Sequence, residues 1–86
     1  MTDLQDIETM TDHLLDTSGL RCPMPLLKTK LQLNAMQPGD RLEVISTDPG
    51  SARDIPSFLK LTSHALEKSE ENEGVFRFLI RCGQSQ

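Results

Sequence analysis

The sequence predicts an α/β (α+β) two-layer sandwich: four strands with two helices on one face, in the order β-α-β-α-β-β. Three observations predict it. Apolar and polar residues alternate with period two in the runs 41–47 and 75–82. A stretch free of glycine and rich in helix formers, 24–36, lies between turn signals. A second helical segment is followed by two strands joined by a tight turn. Strand–helix alternation that closes on a hairpin places both helices against one side of a sheet.

The elements follow in order. His13 to Asp16 is a short strand, and Thr17 to Arg21 is a turn around Gly19. Pro23 and Pro25 fit only in the first turn of the helix that follows, where the N–H groups they lack have no intrahelical partner. Cys22 is then the expected N-cap and Pro23 the first helical residue, with the helix running to about Met36. Pro38 and Gly39 stop it, with Gly39 at or just past the C-cap. Arg41 to Thr47 is a strand with Leu42, Val44 and Ser46 on one side and Arg41, Glu43 and Ile45 on the other. Asp48 and Pro49 begin a turn, and Asp54 with Pro56 behind it reads as the N-cap of a second helix that ends near His64. Ile55, Phe58, Leu59 and Thr62 share its inner face. Leu66 to Glu70 is a charged strand suited to a sheet edge. Glu71 to Gly74 turns the chain into the last strand, Val75 to Cys82, with Phe76, Phe78, Ile80 and Cys82 facing one way. Leu42, Val44, Phe76, Phe78 and Ile80 form the expected core, and Ile45 and Leu79 lie on the open face.

The 86 residues make one small domain, with residues 12–83 folded, 1–11 a loose acidic tail and 84–86 a short C-terminal tail. Two cysteines are too few for a disulfide framework. The N-terminal residues carry neither a basic region nor an apolar run, so no signal peptide is read there, and no stretch is long enough to span a membrane. A cytoplasmic protein with reduced thiols is the expectation. The net charge of -4 provides no basic footprint, which disfavours direct nucleic-acid binding. The two Cys and two His lack zinc-type spacing, so no metal is expected, and the reading calls for no cofactor.

The chemistry concentrates at Gly19 to Lys28, GLRCPMPLLK. Cysteine is not a usual N-cap residue. A helix N-terminus carries about half a positive charge and free N–H donors. Met24 and Leu26 have such N–H groups, and Arg21 adds a charge next to Cys22. These effects predict a Cys22 pKa below the free-thiol value, and the thiolate is the nucleophile. The competing reading, a small buried hydrophobe, sits poorly between a charged residue and a ring-locked one. Arg21, Pro23, Met24 and Pro25 shape the site around Cys22. No histidine lies near Cys22 in sequence, and Asp48, Arg53 and Asp54 read as capping and turn residues.

The segment LDTSGLRCPMPLLK, followed by MQPGD, ISTDPG, RDIPSF and FRFLIR, resembles the TusA (SirA-like) sulfur-carrier family over about Leu14 to Arg81. Cys-Pro-x-Pro alone is a weak signal; joined at family spacing to the downstream Asp-Pro and Arg-Asp-Ile-Pro motifs it is a strong one. The resemblance implies a mixed four-stranded sheet under two helices. It implies that Cys22 takes persulfide sulfur from a cysteine desulfurase and passes it to a downstream relay protein's cysteine, toward 2-thiouridine of tRNA. In some members the sulfur goes to other sulfur metabolism or to molybdenum-cofactor enzymes. Cys82 departs from the family pattern, which has a basic or polar residue there, and reads as a structural plug. Two further classes stand beside the sulfur carrier: a thiol redox or regulatory module, and a non-catalytic adaptor.

The first helix carries more apolar surface than one face needs. Leu26, Leu33 and Met36 form one stripe with Thr29 between them, and Leu27, Leu31 and Ala35 form another. The family resemblance assigns the Leu26 stripe to the core. Leu27 and Leu31, rimmed by Lys28 and Lys30, are then a candidate partner-docking surface beside Cys22.

Overall fold

The computed structural model describes residues 12–84. The elements are β1 (His13–Thr17), α1 (Met24–Ala35), β2 (Arg41–Ser46), α2 (Pro49–Lys60), β3 (Ala65–Asn72) and β4 (Val75–Arg81). The sheet order is β1-β2-β4-β3. β1 and β2 are parallel, and β4 runs antiparallel to both of its neighbours, so the sheet is mixed. The N-terminal tail expected over 1–11 lies outside the described residues.

The core is one cluster beneath two helices. Leu33 and Met36 from α1 and its C-cap, and Ile55 and Leu59 from α2, pack on Leu42, Val44, Phe78, Ile80 and Cys82. Phe76 is half-buried at its margin. The strand alternation gives this directly: Leu42 pairs with Ile80 and Val44 with Phe78, so one side of each residue pair is uniformly apolar. β3 takes the sheet edge and is exposed along nearly all its length. Its hairpin to β4 closes through Glu73 and Gly74, both at positive φ, which matches the twist of a two-residue turn.

Four expectations are corrected. α1 starts at Met24 with Pro23, not Cys22, at the N-cap, and no side chain caps it. The Met24 N–H is taken by the Arg21 carbonyl at 2.8 Å, a turn that precedes the helix, and the first helical bond runs from Leu27 N–H to the Pro23 carbonyl. Gly39 does not cap α1. That cap is Met36, and Gly39 sits with φ 95° in a separate turn, closed by the Asp40 N–H on the Gln37 carbonyl. Pro38 before a positive-φ Gly39 is the residue pair of a type II turn.

The largest revision concerns α2. It starts at Pro49 rather than after Asp54, so Asp54 and Pro56 are interior. Asp48 is the N-cap: its Oδ2 accepts from the Ser51 N–H and from the Ser51 hydroxyl, each at 2.9 Å. Pro49 at the first helical position has the φ the helix needs and lacks only an N–H that would be unpaired there. Finally, α2 ends at Lys60, and His64 lies beyond it. The His64 Nδ1 accepts the Gly83 N–H at 2.8 Å, and burial lowers its pKa, so it is a neutral acceptor rather than a cation at a helix end.

Candidate functional site

β1 and β2 are parallel, so their carboxyl ends lie together, where Thr17 pairs with Ser46. Both helices begin from this end of the sheet. The β1–α1 loop is stitched to the residues that follow β2. Gly19, at φ 83°, donates its N–H to the Thr47 hydroxyl at 2.9 Å, and the Leu20 N–H closes a turn on the Thr17 carbonyl. Asp16 accepts from the Ser18 N–H and hydroxyl. The loop thereby delivers Cys22, which precedes a cis peptide bond to Pro23, to the first two turns of α2.

Cys22 is exposed. Its N–H donates to Asp48 Oδ2 at 3.0 Å, so the residue that caps α2 also holds the Cys22 backbone. Its thiol donates to Asp54 Oδ2 at 3.5 Å. Gly50 lies beside Cys22 and Asp48: a Cβ there would stand in ordinary contact with the Cys22 Cβ at 3.7 Å and tight against Asp48 Oδ2 at 3.3 Å. Gly50 and Asp54 are four residues apart on α2 and so share the face that Cys22 meets.

The electrostatics reverse the expected direction. The Cys22 thiol is pushed up, first by its hydrogen bond to Asp54, then by desolvation, then by the charges of Asp54 and Asp48. The helix terminus does not offset this, because the sulfur is not the cap and the Met24 N–H is already used. Arg21 acts elsewhere. Asp48 is held low chiefly by its two Ser51 hydrogen bonds, then by the Cys22 N–H and the Arg21 charge. Asp54 is the residue that sequence reasoning missed. Its signal was the Asp48-Pro49 pair: reading that as a cap puts Asp54 inside the helix, one turn from Gly50.

The remaining site residues are brought together only in part. Pro23 and Met24 are exposed beside Cys22, and Pro25 is buried under the start of α1. Leu27 and Leu31 are exposed, whereas Leu33 and Met36 are buried, Thr29 is fully buried and Leu26 packs against the core. Lys28 is exposed. Lys30 turns the other way, with its Nζ 5.0 Å from the centroid of the Phe58 ring on α2. Among the described residues, no three of His, Cys, Asp and Glu converge closely enough to hold a metal ion.

Cys82 is at the opposite end of the sheet. It follows β4, its N–H donates to the Asp40 carbonyl at 2.8 Å, and its sulfur lies 3.5 Å from the Leu33 carbonyl in the core. The 6 residues of β2 separate the two ends, a span of about 20 Å, far beyond the roughly 7 Å between Cα atoms that a disulfide allows. Access therefore decides reactivity. Brief iodoacetamide treatment at neutral pH should label Cys22 well before Cys82, although burial and the Asp40 charge raise Cys82 and Asp54 raises Cys22. Peptide mapping checks this, and equal labelling would contradict the burial of Cys82.

Comparison with known proteins agrees on one group. Residues 13–82 match the profile of the family described as Sulfurtransferase TusA. The sulfur carrier protein TusA of Allochromatium vinosum is 51% identical over 70 residues, covering 81% of this chain and 92% of that protein. The crystal structure of the SirA-like protein from Desulfitobacterium hafniense superimposes with a TM-score of 0.72 at 22% identity, covering 84% of this chain and 99% of that one. The last comparison speaks for the fold.

Proposed function

This chain belongs to the TusA family of sulfur carriers, and from that premise we propose that Cys22 accepts persulfide sulfur from a cysteine desulfurase and hands it to the cysteine of a downstream relay protein, toward 2-thiouridine of tRNA. The observation that carries this reading is the exposed Cys22 thiol, held at a helix start by backbone and side-chain contacts with no second thiol in reach. Sulfur transfer of this kind is a thiol–disulfide type exchange. Cys22 attacks the outer sulfur of the donor's persulfide, the donor's S–S bond breaks, and the donor cysteine leaves as a thiol. The sulfur moves without net oxidation or reduction, so no cofactor is needed on this chain.

Cys22 is exposed, which suits a carrier that presents its cysteine to partners. Arg21, Pro23, Met24 and Pro25 fix its shape. Leu27 and Leu31, with Lys28 beside them, form the proposed docking surface, exposed on α1 within two turns of Cys22. The net charge of -4 supports protein partners rather than direct contact with tRNA, and two free thiols suit the reducing cytoplasm.

Intact mass after incubation with a cysteine desulfurase, cysteine and pyridoxal phosphate tests the reading. Gain of one sulfur atom on Cys22 is expected. A disulfide-linked dimer or a gain of one oxygen atom would point to redox chemistry instead, and no change would point to an adaptor. Leu31→Glu tests the docking surface. Leu31 is 67% exposed, so the variant should melt within about 0.5 kcal/mol of the wild type yet load sulfur more slowly. Unchanged loading kinetics would remove Leu31 from the interface.

A further inference from the structure

The Cys22 sulfur faces two carboxylates. From α2, Asp48 and Asp54 both act on it; from its own turn, the Arg21 charge acts on Asp48; its neighbours at the start of α1, Met24 and Pro25, are uncharged. Asp54 is the carboxylate in contact with the sulfur, and it takes part in no ion pair among the described residues. Cys22 packs against the first turn of α2 at Gly50, one turn before Asp54.

We propose that Asp54 is a positioning residue that makes Cys22 a retentive carrier: its carboxylate holds the unloaded thiol and, once sulfur is carried, slows its loss to thiols free in solution. The inference rests on Cys22 as the sulfur-carrying residue proposed above. In release, an acceptor thiolate attacks the outer sulfur of the Cys22 persulfide. A new S–S bond forms between acceptor and outer sulfur, the bond from Sγ to the outer sulfur breaks, and its electron pair stays on Sγ. Sγ then takes up the proton the acceptor thiol gave up. A persulfide and a thiol become a thiol and a persulfide, with no net change of oxidation state.

The negative charge that develops on Sγ during this step lies against Asp54, with Asp48 also near. Both carboxylates oppose it. A thiol whose pKa is raised is a poorer leaving group, so the Sγ–S bond breaks more slowly. A free thiol meets that barrier from bulk solution. A docked acceptor meets it with its own thiolate already placed, and proximity offsets the barrier. Retention in solution and delivery in a complex are thereby separated by one carboxylate.

Two measurements that need no desulfurase test this. The pH dependence of Cys22 alkylation by iodoacetamide, followed by peptide mass, should have its midpoint above that of the glutathione thiol in the wild type. It should move to lower pH in Asp54→Asn, which keeps the shape and removes the charge, and in Asp54→Ala. Cys22 loaded chemically with inorganic polysulfide should lose its extra sulfur to reduced glutathione several-fold faster in both variants. An unmoved midpoint, or an unchanged release rate in variants that melt like the wild type, overturns the proposal. A wild-type midpoint below that of glutathione overturns it without any variant. Expected results in both measurements uphold the role of Asp54 even where a desulfurase loads nothing, an outcome that would count against the proposed sulfur donor alone.

Discussion

Cys22→Ser should abolish sulfur loading, and Cys82→Ser should leave it nearly intact. A serine hydroxyl cannot form the S–S bond on which transfer depends, so the first loss should be complete rather than partial. Cys82 is 4% exposed and lies in the core at the far end of the sheet, out of reach of any partner that docks at Cys22. The measurement is intact mass after incubation with desulfurase and cysteine, with the site of modification mapped by peptide. Loss of loading in both variants, with Cys82→Ser still folded, would assign Cys82 a part in transfer that its burial argues against.

The second large effect is on stability. Leu33→Ala should destabilise the fold by about 2–5 kcal/mol, the range for truncating a buried leucine in a core that cannot collapse around the cavity. Leu33 is 2% exposed and touches the cluster that α1 shares with the sheet. In a domain of this size each kcal/mol lowers the melting temperature by about 4–8 °C. Total stability is of order 5–15 kcal/mol, so the variant should approach unfolding near physiological temperature. Thermal melting followed by circular dichroism reads this directly. Leu31, two residues earlier on the same helix, should show almost none of it. A loss under about 1 kcal/mol for Leu33→Ala would mean that α1 does not seat on the sheet by this stripe.

That pair of leucines shows where sequence reading ended. The helix formers of 24–36 identified a helix, and helical spacing gave it two apolar stripes, but periodicity treats both stripes alike. The choice of Leu33, Met36 and the buried Thr29 for the core came from family resemblance, and the packed structure agrees with it. The two central strands were legible almost to the residue. Period-two alternation in 41–47 and 75–82 is a local property of the chain, and the register that pairs Leu42 with Ile80 preserves it. The edge position of β3 was legible from its charge, since a run with Glu67, Lys68 and Glu70 suits a sheet edge, although the strand extends through Glu71 and Asn72, which the sequence reading placed in the turn.

Helix boundaries were less legible, because caps are competitions between adjacent signals. Asp48-Pro49 and Asp54 with Pro56 are both plausible starts for α2. Asp48 prevails because its carboxylate binds Ser51 twice and Cys22 once, and the last of these bonds spans 26 residues. No local window contains it.

The sequence by itself determined the α/β architecture and the apolar face of each strand, and it singled out Cys22 as the candidate nucleophile. Each of these follows from residue type and short-range spacing. Only the tertiary structure decided the electrostatic character of that cysteine. Two parallel strands bring the start of α2 against the β1–α1 loop, and Asp54, 32 residues along the chain, ends 3.5 Å from the Cys22 sulfur. A charge acts through distance in space and not through separation in sequence, so the direction of the Cys22 shift was set by a neighbour that no reading of GLRCPMPLLK contains.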